Sequence, residues 1–384
     1  MIEPNAEREI HSVHPYPCKF PGWSVTPYLD CDGRVILDPF CGSGTTLFEA
    51  AVKGWQNVIG FDSNPIATLI TRFKLMRTEP SFFSVADSKM ADLAVTALSH
   101  IDPIKFDFDG RDHWFDATTL SELARIVAWI RAEPRSDVRE WLTISLSRIV
   151  NRVSRQESET RYVAVDKDAP RGETMRRFID SCATTVAMLK AREPINAEVR
   201  IECADVRTRL PLGDATVDRI ITSPPYANSM DYYLYHKQRM NILGYNFKAA
   251  QNTEIGSRHE FSSLKAPAEK WKRDYAAVLA EFRRVLRPGG LAVIIIGDSQ
   301  IAGEKIDAAH LTEAIAGSIG FESEVLDSTS LDGRSRSFSR GFQRPNKMEH
   351  TVRLTAPRGA PLRRGVDLPE VPARGEGGVL RVAR

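Results

Sequence analysis

The sequence predicts an α/β fold in which a mostly parallel sheet carries helices on both faces and is interrupted by a helical insertion. Two apolar stretches of strand length end in sharp turns, at residues 34–46 and 218–226. Between them, residues 76–198 show helical spacing of apolar side chains and no convincing strand. Alternating strands and helices favour a parallel sheet, and the run of helices favours an inserted layer.

The remaining elements follow from periodicity and end signals. Asn64 and Pro65 suit the cap and first position of a helix that reaches about Lys74. Apolar spacing predicts helices over 87–100, 118–132, 137–152, 174–191, 274–286 and 307–320. Strands are expected over 199–203, 218–222 and 291–298, with a final antiparallel pair at 324–327 and 349–354. An Arg-Pro-Gly-Gly sequence at 287–290 predicts a left-handed glycine cap after the helix at 274–286.

The first turn has the sequence DPFCGSGTT, residues 38–46, between a short strand and a helix. Gly42 and Gly44 let the backbone turn sharply and let a ligand approach closely. The next strand, 57–61, ends at Asp62, about 20 positions after the glycines. An acidic residue at that place is suited to bind the hydroxyl groups of a ribose.

The second turn lies where the strand 218–222 runs into Ser223, Pro224, Pro225 and Tyr226. Two prolines cannot extend a central strand, so they predict a rigid exit loop at its carboxyl end. Open α/β sheets bind their ligands at that edge. We therefore expect both turns to face one site.

Taken together, the two turns resemble those of the S-adenosylmethionine-dependent amino-methyltransferases, which methylate exocyclic amines of bases in DNA. The Ser-Pro-Pro-Tyr form is most similar to the cytosine-N4 enzymes, although some adenine-N6 enzymes carry it. The resemblance covers roughly residues 10–75 and 200–350. It implies a class I, Rossmann-like sheet, S-adenosylmethionine as cofactor, double-stranded DNA as partner and no metal. A restriction nuclease as a further partner stays open.

The resemblance also implies roles for single residues. Lys19 and Phe20 match a family segment that closes over the methionine end of the cofactor, and Asp205 matches an acid that contacts its adenine amine. Prolines at 15, 17 and 21 predict that this segment, residues 11–28, is an extended, stiff loop. The predicted cofactor site consists of Lys19, Phe20, Asp38, Phe40, Gly42, Gly44, Asp62 and Asp205.

In the catalytic turn, the resemblance assigns Ser223, Pro224, Pro225 and Tyr226 to the reaction. The hydroxyl of Ser223 and the carbonyl of Pro224 would accept hydrogen bonds from the amine as its nitrogen gains positive charge. Tyr226 would stack on the target ring. No covalent intermediate is needed, and the Pro17-Cys18 pair stands on the wrong side of the glycine turn for a carbon-5 cytosine enzyme.

Two polar stretches are candidates for contact with nucleic acid. Within residues 154–162, the side chains of Arg155, Gln156, Arg161 and Tyr162 are of types that read base edges, bind phosphate or stack. Residues 334–347 hold five basic side chains, Arg336 and Arg340 among them, and no acid. For both stretches, a solvated loop is the open alternative.

Composition is that of a protein with a full core: 42% of the 384 residues are hydrophobic and the net charge is +2. No apolar run suits a bilayer span or a signal peptide, and five scattered cysteines without a Cys-x-x-Cys pair favour the reducing cytoplasm. We expect four parts: a cofactor-binding half (1–75), a helical insertion for target recognition (76–198), a catalytic half (199–356) and a disordered basic tail (357–384).

Two further functions stay open. A methyltransferase of RNA bases, such as one acting on the guanine N2 amine, would use a similar Pro-Pro-Tyr turn, and the near-neutral charge is compatible with it. A catalytically idle protein could use the fold to hold nucleic acid, although the intact turn and the acidic residues argue against it.

Overall fold

The computed structural model describes residues 8–30, 33–96, 98–159, 161–167, 170–330 and 347–359. Arg336, Arg340 and nearly all of the predicted tail at 357–384 lie outside these residues. Within them the strands are β1 Val35–Asp38, β2 Asn57–Asp62, β3 Glu198–Cys203, β4 Val217–Thr222, β5 Leu286–Gly297, β6 Ser299–Ile301, β7 Glu304–Ile306, β8 Glu322–Ser330 and β9 Met348–Thr355.

The α-helices surround these strands. They are α1 Gly22–Val25, α2 Thr45–Lys53, α3 Pro65–Leu75, α4 Pro80–Thr96, α5 Arg111–Trp114, α6 Ala117–Ala132, α7 Ser136–Val153, α8 Glu173–Ala191, α9 Tyr232–Leu243, α10 Phe247–Thr253, α11 Ala268–Val285 and α12 Ala308–Ser318. The predicted cap of α3 is present: the Asn64 side chain accepts a hydrogen bond from the Ile66 N–H at 2.9 Å, and Pro65 opens the helix.

Seven strands form one sheet in the order β3-β2-β1-β4-β5-β9-β8. The pairs from β3 to β5 are parallel, and β9 runs antiparallel to both β5 and β8. The chain order reverses between β1 and β4, and such a switch point opens a crevice at the carboxyl ends of the strands. The class I, Rossmann-like architecture and the final antiparallel pair are therefore confirmed.

Successive side chains of the central strands enter two different buried clusters. Ile36 and Ile221 belong to one cluster, whereas their neighbours Leu37 and Ile220 belong to the other. The alternation follows from the two-residue period of a strand, and it requires helices on both faces. The sheet is thus buried on both faces, and this packing holds the carboxyl ends of its strands in fixed positions.

Helices α4 to α8 lie between β2 and β3 in the chain, where the sequence predicted helices without a strand. Their buried apolar side chains, including Trp141 and Phe178, join the same cluster as Phe48 of α2 and Phe73 of α3. Within the described residues of this segment, the only β-type pairing is an isolated bridge between Gln156 and Ala164. The helical insertion is confirmed as part of the fold, while its boundaries and its role in target recognition stay predictions.

Two local predictions were wrong. Residues 11–28 are not extended throughout: a 3-10 turn covers Glu9–Ser12, and α1 and a second 3-10 turn, Thr26–Tyr28, follow Pro21. A proline can precede or open a helical turn, because the first turn needs no N–H from it. The glycine cap is also absent, since α11 ends at Val285, and residues 287–290 lie inside β5.

Candidate active site

The glycine turn between β1 and α2 is held by Asp62 at the end of β2. One carboxylate oxygen of Asp62 accepts the Gly42 N–H at 2.9 Å, and the other accepts the Asn64 N–H at 2.8 Å. Gly42 and Gly44 have φ angles of +50° and +76°, which favour glycine. The residues of this turn therefore lie where the spacing of the two glycines and Asp62 predicted them.

Asp38 joins the two central strands at their carboxyl ends. Its carboxylate accepts a hydrogen bond from the Thr222 hydroxyl at 2.6 Å and one from the Phe40 N–H at 3.2 Å. Burial raises the pKa of Asp38 to about 7 and that of Asp62 to about 6, because the charged form loses its hydration. Both carboxyls thus titrate near neutral pH.

A cavity of about 810 Å³ lies at this edge of the sheet. Its walls contain all four residues of the predicted catalytic turn and seven of the eight predicted cofactor residues. The exception is Gly44, which packs against α3, where a Cβ atom would come within 2.8 Å of the Thr71 side chain. The structure thus brings the two predicted groups together in one cavity, and their individual roles stay predictions.

Asp205 lines the cavity but is not isolated there. Its two oxygens accept hydrogen bonds from the guanidinium of Arg207, at distances down to 2.6 Å, and Arg207 also reaches Asp274 at 3.1 Å. The ion pairs fix the direction of the Asp205 carboxylate. The sequence predicted Asp205 as a site residue, but it did not indicate that Arg207 orients the Asp205 carboxylate.

The amino-terminal segment forms the wall opposite the glycine turn. A Cβ atom on Gly42 would come within 3.3 Å of the Tyr16 ring, so the ring lies directly over the turn. Tyr16 in turn stacks on Tyr232 and His236 of α9, with ring centroids 6.1 and 5.3 Å apart. Lys19 donates a hydrogen bond to the His11 carbonyl at 2.7 Å. Sequence reasoning found Lys19 but missed Tyr16.

Glu254 is a buried carboxyl group on the cavity wall that sequence reasoning also missed. Its oxygens accept the N–H groups of Tyr232 and Tyr233 at 2.9 and 2.8 Å and so cap α9. Burial, with smaller effects of Asp231 and Asp62, raises the pKa of Glu254 to about 8. No local motif marks this glutamate, because its partners lie about 20 residues earlier in the chain.

The predicted catalytic turn leaves β4 at Thr222 and enters the cavity. Ser223 is half-buried and Pro224 is buried, and both line the cavity. Tyr226 donates its phenolic hydrogen to the Glu349 carboxylate of β9 at 2.7 Å. Its ring packs against Gly297, where a Cβ atom would lie 2.6 Å from it. Glu349 is a further residue that sequence reasoning missed, because only the pairing of β5 with β9 brings it here.

The predicted nucleic-acid contacts within 154–162 are mostly engaged with the protein. Gln156 has 0% exposure and donates to the Ser158 carbonyl, so its side chain is engaged within the protein, and its contact with a base stays a prediction. Arg155 donates to the carbonyls of Asp112 and His113 at 3.3 and 3.4 Å. Gln156 is buried because the segment at 154–162 packs against α5 and α7.

The other two residues of the segment are more accessible. Tyr162 is half-buried, and its ring lies 4.4 Å from that of Trp114. Arg161 is exposed and pairs with Glu157 at 2.8 Å. A surface pair of this kind separates easily, so a role for Arg161 at a phosphate stays a prediction.

The residues of the cavity fit S-adenosylmethionine. The missing side chain at Gly42 leaves a backbone surface under Tyr16, and Asp62 and Asp205 keep carboxylate lone pairs that can accept hydrogen bonds from ribose hydroxyls and from an adenine amine. A volume of about 810 Å³ is in the range of small-molecule sites. Lys19, Phe20 and Phe40 complete the walls.

Asp298, Asp307 and His350 form an acidic cluster outside this cavity, with potential ligand atoms within 4.8 Å of one another. The Asp298 carboxylate accepts the Ala308 N–H at 3.1 Å and meets His350 at 3.2 Å. These contacts join β5 to the start of α12.

Among the described residues, no helix is both long and apolar enough to cross a membrane.

Comparison with known proteins gives partial matches. A family model described as UPF0020, RMKL-like, methyltransferase domain matches residues 30–87. The Type II methyltransferase M.MjaII of Methanocaldococcus jannaschii is 38% identical over 80 residues, 20% of this chain and 15% of that protein. The Type II methyltransferase M.BsoBI of Geobacillus stearothermophilus is 25% identical over 253 residues, 56% of this chain and 48% of that protein. The chain thus spans less than half the length of either relative.

Among solved structures, the rRNA methyltransferase aviRa of Streptomyces viridochromogenes aligns over 91% of both chains, with 11% identity and a TM-score of 0.36. Likeness at this level carries no information about substrate. The matched glycine turn, the strand order and the cavity at the carboxyl edge agree with one another. The chain has a class I, Rossmann-like fold, and S-adenosylmethionine is the cofactor implied by this fold and by the methyltransferase model that matches residues 30–87.

Proposed function

We propose that this protein is a site-specific DNA methyltransferase that transfers the methyl group of S-adenosylmethionine to the exocyclic amine of a flipped base, with cytosine N4 as the target. One observation carries the proposal: the Ser223–Tyr226 turn and the Gly42–Asp62 turn line a single cavity. A base bound at the first turn would therefore meet a cofactor bound at the second.

The chemistry of the turn suits an amine of this kind. The exocyclic amine is a poor nucleophile, because its lone pair is delocalised into the ring. The Ser223 hydroxyl and the Pro224 carbonyl can accept hydrogen bonds from its N–H groups and stabilise the positive charge that develops on nitrogen. Bound S-adenosylmethionine supplies an electrophilic methyl group on a positively charged sulfur. Positioning of the amine within the cavity provides the rest of the rate.

A base must leave the double helix to reach this cavity. Flipping costs a few kcal/mol of pairing and stacking, and stacking on an aromatic ring can return about 1–3 kcal/mol. Tyr226 lies beside Ser223 on the cavity wall and offers such a ring. The packing of Tyr226 on Gly297 holds the ring in place before a base arrives.

The target itself rests on sequence resemblance. The name that both curated relatives share, Type II methyltransferase, supports methyl transfer as the activity. DNA and cytosine N4 rest on the likeness of the Ser-Pro-Pro-Tyr turn to amino-methyltransferases. A restriction nuclease acting on the same site would be the natural partner of such an enzyme.

Nucleoside mass spectrometry with methyl-labelled S-adenosylmethionine tests the proposal. We expect labelled N4-methylcytosine after incubation with unmodified DNA and no label after incubation with total RNA. N6-methyladenine would keep the mechanism and change the base, whereas label in RNA alone would overturn the substrate. Cofactor binding without label in either nucleic acid would favour an idle fold.

The Ser223→Ala variant tests the site in the same assay. We expect loss of methyl transfer with unchanged cofactor affinity, because Ser223 faces the amine. Ser318→Ala, at the exposed end of α12, is the matched control and should keep full activity. Full activity in Ser223→Ala would contradict the site assignment.

A further inference from the structure

We propose that Glu254 is a specificity-determining residue of the cofactor site, which favours S-adenosylmethionine over its demethylated product by placing a negative charge in the cavity wall. The inference rests on the methyl donor of the proposed function but not on its target base. It depends on the position of the carboxylate, on its partners and on the charge that the cofactor loses in the reaction.

The position of Glu254 links it to the glycine turn. Glu254 directly follows α10, is 9% exposed and lines the cavity. It accepts the backbone N–H of Tyr232, whose ring stacks on Tyr16, and the Tyr16 ring lies over Gly42. The carboxylate therefore holds the aromatic pair that covers the turn, and its charge acts at this part of the wall.

The partners of Glu254 stabilise a negative charge without neutralising it. Its two oxygens accept the backbone N–H groups of Tyr232 and Tyr233, and no cationic side chain among the described residues pairs with it. Asp205 differs, because the guanidinium of Arg207 pairs with its carboxylate at 2.6 Å. A carboxylate oxygen keeps a further lone pair after one hydrogen bond, so Glu254 can still face a ligand as an acceptor.

The rest of the wall also has an excess of carboxyl groups. Its acidic members within the described residues are Asp38, Asp62, Asp205, Glu254, Asp327 and Glu349, and its basic member is Lys19. Burial, with smaller effects of Asp231 and Asp62, raises the pKa of Glu254 to about 8, so a nearby cation favours its ionised form. A cavity with such walls attracts a cationic ligand.

Methyl transfer changes the charge of the ligand by one unit. The S–CH₃ bond breaks and its electron pair stays on sulfur, so the positive sulfonium becomes a neutral thioether. The amine nitrogen forms the new N–CH₃ bond with its lone pair and then releases one proton to solvent. Cofactor and product otherwise carry the same adenosine and amino-acid groups. A carboxylate without a counter-cation can therefore distinguish them by charge, and the loss of that charge favours release of the product.

Calorimetric titrations at about pH 8, without nucleic acid, test this role. We expect Glu254→Gln to bind S-adenosylmethionine about 10-fold more weakly than the wild-type protein, and S-adenosylhomocysteine within about twofold of it. The ratio of the two Kd values is the readout, because a disturbed start of α9 would weaken both ligands alike. Glu254→Asp keeps the charge and should keep more of the wild-type ratio than Glu254→Gln.

Glu269→Gln, at an exposed position of α11, is the control and should leave both affinities unchanged. An unchanged Kd ratio in Glu254→Gln would overturn the inference, whether both affinities fall or neither does. A wild-type protein that shows the expected ratios but methylates no DNA would contradict the proposed function alone. The two failures are therefore distinguishable.

Discussion

Asp62 accepts a hydrogen bond from the backbone N–H of Gly42 at 2.9 Å, although 20 residues separate them. The carboxylate therefore joins the end of β2 to the turn after β1, and its second oxygen holds the start of α3 through Asn64. Because Asp62 also lines the cavity, one side chain shapes the turn and forms part of the cavity wall.

We expect Asp62→Ala to weaken S-adenosylmethionine binding by about 10-fold to 100-fold, because charge-assisted hydrogen bonds to the ribose are lost and the glycine turn is loosened. Isothermal titration calorimetry measures this change. The exposed Asp92 of α4 provides the control, and Asp92→Ala should leave the affinity unchanged. An Asp62→Ala protein with wild-type affinity would contradict the ribose role.

Cofactor affinity should rise with pH across the neutral range. Burial raises the pKa values of Asp62, Asp38 and Glu254 to about 6, 7 and 8, so these carboxyls gain charge successively as pH increases. A cofactor with a positively charged sulfur and ribose hydroxyls favours the ionised forms, so binding releases protons. The affinity should therefore increase between about pH 6 and pH 8 and level off above.

Calorimetry in buffers of different ionisation enthalpy measures the protons released on binding. Glu254→Gln should reduce the release near pH 8, because it removes the carboxyl with the highest pKa of the three. Proton uptake, or an affinity that falls as pH rises over this range, would contradict the prediction.

Gly44→Ala should lower the free energy of unfolding by about 2–4 kcal/mol, because alanine would adopt an unfavourable φ and its Cβ would overlap a neighbour. Gly44 has a φ of +76°, and a Cβ there would lie 2.8 Å from Thr71. Gly54→Ala is the matched control: its φ is +100° with no atom within 4 Å, so only the backbone term of about 1–2 kcal/mol applies. Urea denaturation compares the two, and equal losses would exclude the overlap with Thr71.

Two glutamates of the insertion should differ in their effect on stability. Glu159 pairs at 2.5 Å with Arg239, which is 1% exposed, whereas Glu157 pairs with the exposed Arg161. Glu159→Gln leaves a buried guanidinium without its counter-charge and should cost about 2–4 kcal/mol, while Glu157→Gln should cost less than about 0.5 kcal/mol. Thermal and urea unfolding measure both, and similar values would contradict the buried pair.

The sequence predicted well those parts of the site that lie within one strand–turn–helix unit. Gly42, Asp62 and the Ser223–Tyr226 turn depend on local backbone geometry and on the carboxyl edge of parallel strands, and both leave a pattern in the sequence. The cap at Asn64 is local in the same sense. The positions of such residues can be predicted because they depend mainly on neighbours in the sequence and little on long-range packing.

Other parts of the site depend on long-range packing and left no pattern. Glu349 reaches Tyr226 across 123 residues, and it does so only because β9 inserts between β5 and β8. Gln156 stands in a polar stretch that suggests exposure, but neighbouring helices bury it completely. The prediction that residues 11–28 form one extended loop was also wrong, because proline is excluded from the interior of a helix but not from its first turn.

The cavity takes its walls from distant parts of the chain: Tyr16 and Lys19 come from before the first strand, whereas Glu349 and Thr351 come from the last. During synthesis on the ribosome, β9 emerges after every other strand of the sheet, so the nascent chain passes most of its translation without a complete binding site. S-adenosylmethionine stabilises only states that bind it, so it cannot support these early intermediates. The five parallel strands β1 to β5 and their helices must then stay folded, or be protected from aggregation, by their own packing until the final strand pairs.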